Sequence, residues 1–150
     1  EIDKVKGQKG VLSVEKKLFV ETNNGTNRQI RPVTPEQPLR IGDKVIVRLT
    51  IRTDREMNYV FLKDLRAGCF EPADQLSGPE SRDGIWYYRS PKDVSENFFI
   101  NRLPEGTFVL EYPVYVSRSG EYAGGISTIQ CMYAPEFVSH TAGESLRIMP

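Results

Sequence analysis

Histidine occurs once in this chain, at His140, and cysteine twice, at Cys69 and Cys131. A zinc site needs three or four converging His, Cys or carboxylate ligands, and one histidine with two distant cysteines does not make that case. Two cysteines are also too few for a disulfide scaffold and too far apart for a C-x-x-C pair. A surplus of one charge is missing as well, since 20 Lys and Arg balance 20 Asp and Glu. Nucleic acid or an anionic membrane surface would need an excess of basic residues. No apolar run reaches the roughly 18 residues that span a bilayer. No window of about a dozen residues carries a 3.6-residue period with caps, so almost no helix is expected. The chain starts at Glu1 with nothing signal-like after it, and it reads as mature or excised from something longer.

What is present is strand material. Aromatics alternate with Val, Ile and Thr, and 12 Gly and 10 Pro punctuate the stretches, which fits an all-β domain rather than a disordered tail. In VLSVEKKLFV (11–20), Leu12, Val14, Leu18 and Val20 share one phase. Asn24-Gly25 after it is a hairpin turn signal, because both residues tolerate positive φ; with Thr26 it also spells an N-x-T sequon, and we read the turn. RPVTPEQPLRIGD (31–43) carries three prolines and is expected as an extended connector. KVIVRLTIRT (44–53) alternates Val45, Val47, Leu49 and Ile51 with Lys44, Arg48, Thr50 and Arg52, so one face is buried and the other wet. Residues 68–84 read as a long polar loop. Further strands follow at IWYYRS, SENFFINRL, 106–118, 122–133 and 144–149. Pro113, inside the strand read as central, calls for a bulge or an edge position.

Seven or eight strands with turns about every 8–12 residues predict an antiparallel β-sandwich of the fibronectin type III or immunoglobulin-like kind. A single domain over 1–150 is expected, with 1–38 as first strand, hairpin and Pro-rich connector, and 39–149 as the core.

Catalytic constellations are scarce. His140 stands between Ser139 and Thr141, but neighbours on an extended chain point apart, and no orienting carboxylate is implied. GEYAGG lacks the Lys-Ser/Thr of a phosphate loop. No enzyme activity, cofactor or metal is therefore expected. Trp86-Tyr87-Tyr88 supports two readings, a ring platform for sugars or alternate rings filling the sandwich.

The ordered set Leu103-Pro104-Glu105-Gly106-Thr107-Phe108, Leu110-Glu111-Tyr112, Met132-Tyr133-Ala134-Pro135-Glu136 and Ala142-Gly143 resembles the carboxy-terminal macroglobulin-like domain of bacterial α2-macroglobulins. The strand wording looks closest to Bacteroidetes-type envelope proteins, and the resemblance covers roughly 39–149. It implies a β-sandwich at the end of a large, multi-domain, extracytoplasmic chain of the periplasm or outer-membrane envelope. Such chains trap proteases: a bait region is cut, the molecule rearranges, and in many members a Cys-Gln thioester in a helical domain bonds to the attacker. No catalytic residue carries over, because neither Cys69-Phe-Glu-Pro nor Cys131-Met-Tyr-Ala is a thioester motif. The implied partners are neighbouring domains of the parent chain, with a target protease met only through the full-length protein.

Two site expectations follow. Met132, Tyr133, Pro135 and Phe137 crowd a turn, and they suit a face that docks on a neighbouring domain, since Met adapts to irregular surfaces and Tyr buries a ring. The plainer alternative is that Met132 and Tyr133 cap the core. Cys69 and Cys131 would form a disulfide if their strands ran parallel to one pole, closing a loop of about 60 residues for roughly 4 kcal/mol. A rival to the whole reading is a free-standing carbohydrate-binding or adhesive module using Trp86 to Tyr88.

Overall fold

The computed structural model describes residues 11–25, 27–73 and 77–150. Its strands run in the order β1 (Leu12–Asn24), β2 (Asn27–Pro32), β3 (Leu39–Arg40), β4 (Lys44–Thr53), β5 (Met57–Leu65), β6 (Phe70–Pro72) and β7 (Gly78–Arg82). They continue with β8 (Ile85–Pro91), β9 (Ser95–Leu103), β10 (Gly106–Val116), β11 (Gly120–Ala123), β12 (Ser127–Cys131), β13 (Ala134–His140) and β14 (Ser145–Met149). Two antiparallel sheets carry the core. One has the order β2-β1-β4-β10-β6, the other β13-β12-β5-β9-β8-β7, and a small third sheet is β11-β14-β3.

The alternation in β4 and β10 does what the pattern demands. Val45, Val47, Leu49 and Ile51 of β4 are buried with Leu110, Tyr112, Val114 and Val116 of β10. They belong to one cluster with Leu62, Phe98, Ile100 and Ile129 from the second sheet. Phe108, in the same phase of β10, is only partly buried.

More strand forms than the seven or eight expected. The polar stretch 68–84 contains β6, paired with β10, and β7, paired with β8. The Pro-rich connector does the same, with Pro32 opposite Phe19 in β2 and Leu39–Arg40 pairing in parallel with β14. The missing N–H of a proline is harmless at a sheet edge, and β2 is such an edge. Pro113 sits in unbroken register opposite Ile46, without a bulge. Its carbonyl accepts the Ala73 N–H at 3.4 Å. A residue's N and O point to the same side of a strand, so the absent donor faces away from β4, at the margin where the short β6 ends. The hairpin at Gly25 joins β1 and β2 with φ of +74°.

Candidate functional site

The strands β12 and β13 are joined by a two-residue turn, Met132-Tyr133, with Cys131 opposite Ala134. Both turn residues are exposed, Met132 by 52% and Tyr133 by 77%. Core capping is therefore not their role. The tip is nonetheless held. The Met132 N–H donates to the Tyr59 carbonyl at 2.8 Å, and the Tyr59 and Tyr133 rings lie 4.8 Å apart.

The other two expected docking residues are placed differently. Pro135 is exposed but lies in β13, beyond the turn, and its carbonyl accepts from Gln130 Nε2 at 3.2 Å. Register slips between Gln130 and Cys131, so Pro135 to Phe137 form a bulge that tolerates the missing donor. Phe137 is half-buried against the core, with the Arg55 guanidinium 5.1 Å from its ring centroid. The exposed apolar tip is thus Met132 and Tyr133.

Behind the tip, an aromatic band crosses the outer face of the six-stranded sheet. Phe61 stacks on Phe99 at 4.7 Å, and Phe99 stands opposite Tyr88. A cleft of about 420 Å³ lies between Tyr59, Phe61, Phe99, Ile100, Met132 and Tyr133. The run Trp86-Tyr87-Tyr88 is divided by alternation. Tyr87 enters the core, while Trp86, 70% exposed, and Tyr88 face outward. The core-filling reading therefore holds for Tyr87 and not for Trp86 or Tyr88.

The cysteines are free and buried. This corrects the expected bridge. Strands β5 and β12 are antiparallel, with Cys131 opposite Val60 near the start of β5, whereas Cys69 follows its end. Val60 to Leu65 alone spans about 17 Å of strand, far beyond the roughly 7 Å that a disulfide bridges between Cα atoms.

Sequence reasoning missed a set of charged groups inside the sandwich. Lys16 of β1 occupies the same phase as Leu12, Val14, Leu18 and Val20, so its side chain points inward. Its Nζ donates to Asp64 Oδ1 at 2.8 Å and to the carbonyls of Leu65 at 3.2 Å and Gly125 at 3.0 Å. Asp64 is fully buried. It also accepts from Ser127 Oγ at 2.6 Å and from the Tyr112 hydroxyl. Burial, reinforced by the Asp64 charge, holds the Tyr112 phenol well above its ordinary range. Nearby, Glu96 accepts from Arg66 Nη1 at 3.1 Å and from Arg89 Nε at 2.9 Å. Ser127, Asp64 and Lys16 are residue types used in catalysis, but Ser127 and Asp64 have no exposed surface for a substrate to reach. The cluster satisfies buried charge and ties β1 to the opposite sheet.

His140 is exposed at the end of β13, opposite Thr128. Among the described residues no three His, Cys, Asp or Glu side chains gather as metal ligands. No described helix is long and apolar enough to cross a membrane.

Comparison with known proteins identifies the architecture. The family described as "Bacterial Alpha-2-macroglobulin MG10 domain" matches residues 12–136. Salmonella alpha-2-macroglobulin reacted with methylamine superposes with a TM-score of 0.71 at 21% identity, over 94% of this chain and 9% of that one. Trypsin-activated alpha-2-macroglobulin from Escherichia coli gives 0.70 at 17% identity, over 94% and 10%. A native E. coli structure spanning domain MG7 to the C-terminus gives 0.69 at 17% identity, over 94% and 24%. Among curated proteins, Circularly permutated Ras protein 2 of Dictyostelium discoideum is 28% identical over 109 residues, 73% of this chain and 3% of that protein. The chain thus spans a small fraction of each relative.

Proposed function

The chain belongs to the bacterial α2-macroglobulin MG10 domain family, and from that premise we propose that it is the non-catalytic docking domain of a large protease-trapping protein of the cell envelope. The E. coli and Salmonella relatives are described as activated by trypsin and as reacting with methylamine. Carried over, protease cleavage and any reactive group belong to other domains of the parent chain, and this sandwich supplies a rigid contact surface. The partner is the neighbouring helical, thioester-type domain, in an extracytoplasmic compartment.

The observation that carries this reading is the exposed, pinned tip Met132-Tyr133. A pre-shaped apolar turn binds with little ordering cost. The tip leans on Tyr59 at the pole of the β4–β5 turn, where Leu12 of β1 stands opposite Thr53 and the Val11 carbonyl accepts the Asp54 N–H at 2.9 Å.

The test is the double variant Met132→Ala/Tyr133→Ala. Surface sites change stability little, and losing the ring contact with Tyr59 keeps the expected change in the chain within about 1 kcal/mol. In the full-length parent the same pair raises proteolytic sensitivity at the contact. A loss of several kcal/mol from the chain itself, of the size that core truncations cost at about 2–5 each, refutes docking.

A further inference from the structure

Tyr59 adopts φ of +60° near the start of β5, a conformation that costs an L-residue steric strain and that Gly or Asn takes far more readily. The reason for the angle lies in the pairing. On β5, Met57 and Val60 are buried and both residues between them, Asn58 and Tyr59, face outward. On β9, Ile100 and Leu103 are buried while Asn101 and Arg102 face outward. Register is kept, with Asn58 opposite Arg102 and Val60 opposite Ile100. Two paired strands therefore reset their phase at one place, and on β5 the left-handed Tyr59 accompanies the reset, whereas Asn101 and Arg102 of β9 keep negative φ.

Glycine would do this without strain. Tyrosine adds a ring, and the ring lies against Tyr133 at 4.8 Å. The same residue's carbonyl accepts the Met132 N–H, so Tyr59 holds both members of the tip, one through its backbone and one through its side chain. Its own ring stays half-exposed. A contact between two exposed rings returns about what the strained backbone costs, so the domain's own stability gives little reason for tyrosine here.

We infer that Tyr59 is a positioning residue: it accepts a strained backbone so that its ring fixes the orientation in which Tyr133 meets the neighbouring domain. This rests on the docking reading above. With the tip free to swing, the partner would have to order it on contact, and affinity would fall without any lost intermolecular atom.

The test compares Tyr59→Gly, Tyr59→Ala, Tyr59→Phe and Tyr133→Ala. Urea midpoints are measured on the chain, and the rate of limited trypsin cleavage on the full-length parent. The expected order of midpoints is Tyr59→Gly above Tyr59→Ala, the reverse of the usual strand preference. In the parent, Tyr59→Gly and Tyr133→Ala each speed cleavage at least fivefold, and Tyr59→Phe restores the wild-type rate. A midpoint for Tyr59→Gly below that of Tyr59→Ala overturns the strain argument. Unchanged cleavage in Tyr59→Gly, with faster cleavage in Tyr133→Ala, overturns positioning alone. Unchanged cleavage in Tyr133→Ala removes the docking reading and this inference with it.

Discussion

Replacing Asp64 by alanine removes the acceptor on which three donors converge. Lys16 Nζ loses a partner at 2.8 Å, Ser127 Oγ one at 2.6 Å, and the Tyr112 hydroxyl its contact as well. Breaking a buried ion pair from one side typically costs about 3–5 kcal/mol, because the remaining charge stays desolvated. Each buried hydroxyl left unsatisfied adds about 1–3 kcal/mol. Two features temper the sum. Lys16 keeps the carbonyls of Leu65 and Gly125, and 13% of its side chain reaches solvent. A net loss of about 4 kcal/mol is expected, against a total of about 5–15 for a domain. With a urea slope near 2 kcal/mol/M, the midpoint falls by about 2 M. Far-UV circular dichroism suits the assay better than Trp86 emission, since that ring is already exposed. The companion variant Lys16→Met/Asp64→Leu removes both charges and recovers most of the loss. A drop below about 1 kcal/mol for Asp64→Ala would refute the reasoning, as would a double variant worse than the single one.

Thiol titration of the denatured, unreduced chain should find both cysteines free, and in the native chain Cys69 should react slowly, since burial both hides it and raises its thiol pKa. One bridge per chain would contradict the topology. Stability should also fall in alkali. Burial raises the Tyr112 phenol well above its usual value and lifts Tyr87 to about 12. A group whose folded value is raised contributes fully below its unfolded pKa, about 10 for tyrosine, and loses that contribution as pH climbs above it. Urea midpoints should therefore be flat from about pH 7 to 9 and decline beyond about 10; a midpoint unchanged at about pH 11.5 would contradict the burial of these phenols. Incubated with a protease panel, the chain alone should leave every enzyme active and form no adduct surviving boiling detergent.

Much of this architecture is legible in the sequence because period-two alternation in β1, β4, β8 and β10 is a direct consequence of a sheet with one dry face. The short strands were harder to see. β7 is mostly polar and β6 offers only three residues with one buried ring, Phe70, and both pair at sheet margins, where no run of alternation announces a strand. Lys16 was hidden by its type: the phase of Leu12 and Val14 places it inside, yet a lysine reads as surface until its partner Asp64 is known. Asp64 in turn shares the phase of Val60 and Leu62. The cysteine pairing failed because spacing does not reveal strand direction. At the site, the apolar crowd at 132–133 was visible, whereas Tyr59 was not, since the break in alternation is meaningful only once Asn101 and Arg102 are seen to break opposite it.

Peroxide oxidation of methionine tests the docking claim most directly, because the chain carries its own control. Met132 is half-exposed and Met57 is buried, and oxidation follows exposure. In the isolated chain, mass spectrometry should show Met132 oxidised much faster than Met57. In the full-length parent, Met132 should slow at least tenfold toward the Met57 rate while the chain's fold is unchanged. Equal Met132 rates in the two settings would mean that nothing covers the tip, and the docking account would be wrong.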